Sequence, residues 1–320
     1  MLTSRPKYSI ISVTYRSVLE TKRFVESVLR HTKGDYEFIL GVNGTQDEVL
    51  SDYLHQLEKR EHRVRLVWSP LNTGVRMFNT VMRMAQSDFI FRCDSDIEIM
   101  QDDWNGLMVK QLGISQKDVG PVVAVGTLNS IWSGYHIVRA QRTLEVGMIM
   151  SNCMMIHRPT ANIITDKLQT ILPELRQRLE KARTRRAAYT DELSDMEATV
   201  EYARWHAPWW DLNFGGKNEP KGYGADDMWW SLLARWCGLK LIAAPVDVRH
   251  YDSSMRPGYG QTRHILVSRG FQYLRTSLSL IMDEYRPEIW ENLPLNLPVL
   301  SEFIKSCSNE KLSTTPEAKC

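Results

Sequence analysis

Apolar residues in the first half of the chain follow two alternating spacings. Short, almost continuously apolar runs such as YSIISVTY (8–15) and YEFILGV (36–42) are separated by stretches in which apolar residues recur every three or four positions. Parallel strands joined by crossover helices produce this alternation, and strands covered on both faces are apolar throughout. The pattern predicts an α/β fold with a mixed, mostly parallel sheet flanked by helices.

The same reasoning extends along the chain. Strands are predicted at 8–15, 36–42, 64–68, 88–93 and 121–126, and helices up to Leu29, at 46–60 and at 75–84. Residues 168–203 contain no glycine and are rich in Leu, Ala, Glu and Arg, which predicts one or two long helices. A strand-like LKLIAAPVDV (239–248), a helical segment and a polar tail complete the chain.

Composition limits the function classes. The net charge of +2 implies no global attraction to nucleic acid or to an anionic membrane. The five cysteines form no Cys-x-x-Cys pair, so no structural zinc is expected. No apolar run is long enough to span a bilayer, and the N-terminus lacks a signal-peptide profile. We therefore expect a soluble, cytoplasmic protein without a transmembrane segment.

Two aspartates interrupt the apolar stretch FIFRCDSDIEI (89–99). Asp94 and Asp96 fall where a predicted parallel strand ends, which is where open α/β sheets bind ligands. Their carboxylates suit Mg²⁺ or Mn²⁺, which can bridge diphosphate oxygens. An ordinary surface turn would have the same composition. An aspartyl phosphatase would usually carry a threonine soon after the second aspartate, and this chain has none there.

Four segments taken in order resemble the GT-A glycosyltransferases, especially the inverting family 2 enzymes. They are SIISVTYR (9–16), FILGVNGTQDE (38–48), LNTGVRMFNTVMRMAQSDFIFRCDSD (71–96) and GYGADDMWWSLLARWCGLKLIAAPVDVRHYD (222–252). The resemblance covers roughly residues 8–165 and 213–252 and depends on the ordered combination. It implies a metal-dependent transfer of a sugar from a nucleotide diphosphate sugar to a hydroxyl acceptor.

The resemblance assigns the donor-binding residues. The end of the first strand, Thr14, Tyr15 and Arg16, corresponds to the edge that contacts the base. Asn43 stands where the family usually has an aspartate that accepts a hydrogen bond from uracil, so UDP is the expected nucleotide although an amide can also face another base. Asn72 and Gly74 match an Asn-x-Gly motif expected near the nucleotide.

The resemblance also assigns metal and catalytic roles. Asp96 is expected to ligate Mn²⁺ or Mg²⁺, with Asp94 on the ribose or on a metal-bound water and His250 as a late metal ligand. Asp227 is expected to be the base that takes the acceptor proton, although an aspartate there also suits a helix cap. Arg256 is expected to close over the diphosphate. The acid pair at 226–227 favours inversion, while retaining GT-A enzymes also have an Asp-x-Asp and a late histidine.

We expect five segments. They are a nucleotide-sugar-binding half (1–165), a helical insertion (166–206), an acceptor and catalytic half (207–265), a C-terminal helical segment (266–306) and a disordered tail (307–320). The insertion carries a basic stretch at 176–186, which is either a solvated helix face or a phosphate-contacting surface. The second interpretation permits a DNA-modifying glycosyltransferase acting on an extruded base. A non-catalytic nucleotide-sugar or nucleic-acid binding module is a further alternative.

Overall fold

The computed structural model describes residues 5–251, except 16, 75, 129–136, 141–142, 151, 186–192, 194–195, 198 and 201–225, together with 280–281. The strands are β1 (Tyr8–Thr14), β2 (Tyr36–Asn43), β3 (Val64–Ser69), β4 (Phe89–Asp94), β5 (Ile97–Ile99), β6 (Val122–Thr127), β7 (Ile137–Ala140), β8 (Leu144–Val146), β9 (Cys153–His157), β10 (Lys240–Ala244) and β11 (Val248–His250). The helices are α1 (Val18–His31), α2 (Glu48–Arg60), α3 (Arg76–Met84), α4 (Trp104–Val119), α5 (Arg158–Arg185) and α6 (Asp226–Trp236).

Within the described residues, nine strands form one mixed sheet in the order β3-β2-β1-β4-β9-β6-β10-β8-β7, and β11 and β5 form a separate two-stranded sheet. Strands β1, β2, β3 and β4 are mutually parallel, and β9 pairs antiparallel to both β4 and β6. Strand β10 is parallel to β6, and β8 is antiparallel to both β10 and β7. Seven of the nine described strands therefore point in one direction, and their carboxyl ends lie along one edge of the sheet. The predicted α/β class and mostly parallel sheet are confirmed.

Both faces of the sheet are covered. Ile10, Phe38 and Phe91 face a layer that includes α1, α2 and α4, while Ile11, Ile39 and Ile90 face a layer that includes α3, α5 and α6. Neighbouring residues of one strand thus belong to opposite cores, which explains why the strands are continuously apolar.

The helices begin and end where the sequence supplies caps. The Asp47 carboxylate accepts a hydrogen bond from the backbone N–H of Leu50, and the apolar residues of α2 recur at the spacing that buries one face, Leu50, Leu54 and Leu57. Within α5, Leu168, Leu172, Leu175 and Leu179 are buried in the same way. Helix α5 starts at Arg158, before the predicted start of the insertion at 166, and continues to Arg185.

The predicted strand at 239–248 is divided. Residues 240–244 form β10 in the main sheet, whereas β11 leaves it after residues 245–247 and pairs with β5. Pro245 has no backbone N–H to donate to a ladder, and it lies at this break. The division places the chain around residue 250 beside the turn that follows β4.

Candidate active site

The aspartate pair lies in a tight turn at the carboxyl edge of the main sheet. Strand β4 ends at Asp94, and strand β5 begins at Ile97 after a turn formed by residues 95 and 96. The backbone N–H of Asp94 donates to the carbonyl of Asn152 (2.8 Å), which holds the turn against the start of β9. Both aspartate side chains are partly accessible, as a ligand site requires.

The small sheet brings His250 to this turn. His250 is the register partner of Ile97, and the next residue, Tyr251, donates its N–H to the carbonyl of Asp96 (2.8 Å). The His250 Nε2 atom consequently lies 3.5 Å from the Asp96 Oδ1 atom. The two residues expected to be the principal metal ligands are thus adjacent, although they are far apart in sequence.

Tyr251 fixes the end of β11. Its hydroxyl donates to Glu98 Oε2 (2.5 Å), and the Arg23 guanidinium lies 4.0 Å from the centre of its ring. Because Arg23 is on α1 and Glu98 is on β5, these contacts tie the strand that carries His250 to two other elements. Sequence reasoning missed Tyr251 and Glu98, since β5 and β11 have only three residues each and show no periodicity.

The donor set at Asp96 and His250 fits a divalent cation. Asp96 Oδ1 is buried and has no hydrogen-bond donor among the described residues, so an uncompensated carboxylate oxygen is directed to this point. Carboxylate oxygen and imidazole nitrogen both suit Mn²⁺. The described residues contain no group of three or more His, Cys, Asp or Glu side chains that could hold a metal.

A buried arginine lies behind the pair. The Arg92 side chain is only 2% exposed, its guanidinium lies 4.1 Å from the centre of the Phe78 ring, and its Nη2 is 3.7 Å from Asp94 Oδ1. Arg92 therefore places a buried positive charge beside the Asp94 carboxylate.

Two buried cysteines lie beneath the turn. Cys93 and Cys153 are register partners on β4 and β9, with their Sγ atoms 3.9 Å apart. Burial, followed by the interaction with Cys153, raises the pKa of Cys93 well above its usual value.

The ends of β2 and β3 form the next part of the same edge. Asn43 donates from Nδ2 to Asn72 Oδ1 (2.9 Å) and to the Gly74 carbonyl (3.0 Å). Its Oδ1 accepts from the backbone N–H and the hydroxyl of Thr73, at 2.8 and 3.0 Å. Asn43 thus lies beside Asn72 and Gly74, as the motif order implied, but its amide is engaged with the loop. Direct contact of Asn43 with a base stays a prediction.

The end of β1 lies alongside. Val13 is the register partner of Asp94, and Thr14 that of Val42, so the ends of β1, β2 and β4 are neighbours. The Thr14 side chain is buried and shares a hydrogen bond with Thr21 (2.6 Å), while Tyr15 is half-buried. Arg16 and Arg256 lie outside the described residues. The roles assigned to the first-strand residues stay predictions.

Asp227 lies in the first turn of α6. Only residues 237–239 connect α6 to β10, and the helix packs on that strand, so the two run in opposite directions. Because β10 begins at the amino edge, the first turn of α6 lies at the carboxyl edge, the edge that carries the aspartate pair. Asp227 is half-buried there, and its predicted catalytic role is untested by the geometry alone.

Two arginines of the basic stretch at 176–186 are paired with glutamates. Arg178 donates to Glu174 Oε1 and to the Leu280 carbonyl, and Arg183 donates to Glu180 and Glu197. Ion pairs of this kind are typical of a solvated helix face.

No helix within the described residues is long and apolar enough to cross a membrane.

Comparison with known proteins decides the family. Residues 9–175, more than half of the 320-residue chain, match the model of glycosyl transferase family 2. The chain belongs to this family. The match ends within α5, so it includes the aspartate pair and the Asn43 region but not Asp227 or His250. A comparison with curated protein sequences finds no match.

Two solved structures resemble this family 2 chain at low sequence identity. The mannosyltransferase PcManGT from Pyrobaculum calidifontis, solved in complex with GDP-Man and Mn²⁺, is 16% identical with a TM-score of 0.50, covering 95% of this chain and 69% of that one. TarS 1-349 from S. aureus, solved in complex with UDP-GlcNAc, is 11% identical with a TM-score of 0.50, covering 93% of this chain and 71% of that one. At such identities the likeness establishes the GT-A fold.

Proposed function

We propose that this family 2 glycosyltransferase transfers a sugar from a nucleoside diphosphate sugar to a hydroxyl acceptor, with inversion and with a bound Mn²⁺ or Mg²⁺. The juxtaposition of Asp96 and His250 carries the proposal, because it directs a buried, uncompensated carboxylate oxygen and an imidazole nitrogen to one point. A surface turn would not require either group. A purely nucleotide-binding module would not require an acid on the acceptor side.

Each residue has one task in this mechanism. Asp96 and His250 would hold the cation, which when bound supplies positive charge for the diphosphate. Asp94, held by Arg92, would bind the ribose or a water of the cation. The acceptor oxygen attacks the anomeric carbon and gives its proton to the Asp227 carboxylate, while the bond from that carbon to the diphosphate oxygen breaks and the diphosphate leaves with the electron pair.

The donor is proposed to be a UDP-sugar. This choice follows from the family resemblance of the segments at residues 14–16 and 72–74. The two similar structures were solved with different nucleotides, GDP-Man in one and UDP-GlcNAc in the other, so the donor assay must include both. A DNA acceptor would depend on the basic stretch of α5, and the pairing of Arg178 and Arg183 with glutamates gives that hypothesis no support.

The test is release of nucleoside diphosphate from a panel of UDP- and GDP-sugars, with Mn²⁺ or with a chelator, and with candidate acceptors. We expect cation-dependent release with at least one donor. In Asp227→Asn, kcat should fall by about 10²–10⁴-fold while donor binding is retained, because only proton transfer is lost. Turnover unchanged by this substitution would contradict the assigned base.

The stability control is Asp47→Asn. Asp47 caps α2 through its carboxylate, and asparagine is an equally good cap. If Asp227 serves only as a helix cap, Asp227→Asn should resemble Asp47→Asn, with little change in either Tm or turnover. A large loss of turnover at an unchanged Tm separates catalysis from capping.

A further inference from the structure

The hydrogen-bonding capacity of Asn43 is completely used inside the protein. A carboxamide has two N–H donors and an oxygen with two lone pairs. Both donors bond to Asn72 and Gly74, and both lone pairs accept from Thr73. The side chain is 3% exposed, so these four contacts are also protected from water. A bond from Asn43 to a base would have to replace one of them.

The backbone next to Asn43 brings the loop at 71–74 close to the end of β2. Gly44 has a φ of 71°, and a Cβ atom there would lie 2.3 Å from the backbone nitrogen of Asn72. The Gly44 N–H also donates to the carbonyl of Ser69 (3.0 Å) at the end of β3. Glycine is thus required for the loop at 71–74 to approach the end of β2, and Asn43 then secures that approach.

These contacts determine the orientation of Asn72. Its Oδ1 accepts from Asn43 Nδ2 and from the Gly74 N–H, both at 2.9 Å, so the oxygen is turned inward. The Asn72 NH₂ group must then point away from Asn43 and Gly74, and it has no hydrogen-bond partner among the described residues. Asn72 is exposed at the carboxyl edge of the sheet, where the donor site is proposed.

We propose that Asn43 is a positioning residue that orients Asn72 and the 72–74 backbone toward the donor nucleotide and does not itself select the base. This inference rests on the proposed function and replaces the expected contact between Asn43 and the base. Aspartate at position 43 would set a carboxylate against Asn72 Oδ1 and the Gly74 carbonyl, two acceptors that need a donor. Asparagine suits position 43 because its NH₂ group donates hydrogen bonds to the loop, at Asn72 Oδ1 and the Gly74 carbonyl.

The first test measures binding of UDP and GDP with Mn²⁺ by calorimetry. Asn43→Asp should weaken both nucleotides by about tenfold and leave the ratio of their affinities unchanged, because the loop serves either base. Thr73→Val removes one of the four bonds and should give a smaller, equally parallel loss. A change in the ratio would overturn the proposal, since it would show that position 43 reads the base. Unchanged affinities would overturn it as well.

The second test needs no ligand. In Asn43→Ala, hydrogen exchange at the Thr73 and Gly74 amides should accelerate by about tenfold or more, while strands at the amino edge keep wild-type protection. Wild-type exchange rates at these two amides would show that Asn43 does not hold the loop at 72–74. If the native protein binds neither nucleotide, the proposed function fails, and the exchange measurement still decides the role of Asn43.

Discussion

The two edges of the main sheet treat buried polar groups differently. At the amino edge, Glu37 Oε1 accepts hydrogen bonds from the Ser9 hydroxyl and the Gln86 N–H, both at 2.6 Å, and the Ser9 oxygen accepts from the Ser87 N–H. At the carboxyl edge, Asp96 Oδ1 is buried with no such donor among the described residues. Both residues are carboxylates near strand ends, but only the Glu37 oxygen receives hydrogen bonds from the described protein groups.

This difference separates stability from function. The Glu37 carboxylate, which is satisfied within the protein, holds the segment at residues 84–88. Arg65 and Arg158 also donate hydrogen bonds to this segment, at the carbonyls of Met84 and Ala85. An unsatisfied one is a cost to folding that a ligand can offset. We therefore expect substitutions at the amino edge to change Tm and those at the carboxyl edge to change cation binding and turnover.

The largest effect is expected for Asp96→Asn. Loss of the charged ligand should lower cation-dependent turnover by about 10³-fold and weaken Mn²⁺ binding in calorimetry. The Tm should change little, because the carboxylate oxygen gives up only its contact with His250. The matched control is Glu37→Gln, which makes the same chemical change at the other edge and should retain turnover. An equal loss of turnover in Asp96→Asn and Glu37→Gln would show that the two edges do not differ in function.

An intermediate effect is expected for Glu37→Ala. This change leaves the Ser9 hydroxyl and the Gln86 N–H without their acceptor in a buried region, which should cost about 2–3 kcal/mol of unfolding free energy. Urea denaturation measures the loss, and turnover per folded molecule should stay near wild type. Wild-type stability in Glu37→Ala would show that the amino edge is not held by this carboxylate.

The sequence predicts the two edges unequally. Continuous apolar runs are sufficient to predict β1, β2, β4 and β6, and hence the position of Asp94 and Asp96 at a strand end. Helix α4 is not predicted, since Gly106 and Gly113 interrupt its pattern. The pairing of β5 with β11 and the Asn43 contacts depend on residues brought together by the tertiary fold, and local periodicity carries no information about them.

The smallest effect is a pH dependence at the amino edge. His157 ends β9, its Nδ1 lies 2.7 Å from the Thr160 hydroxyl, and its ring packs against Phe89. Burial lowers the pKa of His157 from its ordinary value of 6.5, and the smaller effect of the nearby Asp88 carboxylate acts in the opposite direction. The folded protein therefore binds this proton less readily than the unfolded chain does. The stability that His157 contributes is present above pH 6.5, and it is lost as the pH falls from 6.5 to the lower pKa of the folded protein.

The measurement is Tm between about pH 8 and pH 5 for the wild type and for His157→Gln, because other histidines titrate in the same range. The difference in Tm between the two proteins should become less favourable to the wild type as the pH falls. Cation binding at pH 7.5 should be equal in both, since His157 lies at the edge opposite His250. A difference that is independent of pH, or that grows in favour of the wild type on acidification, would contradict the assigned burial of the imidazole.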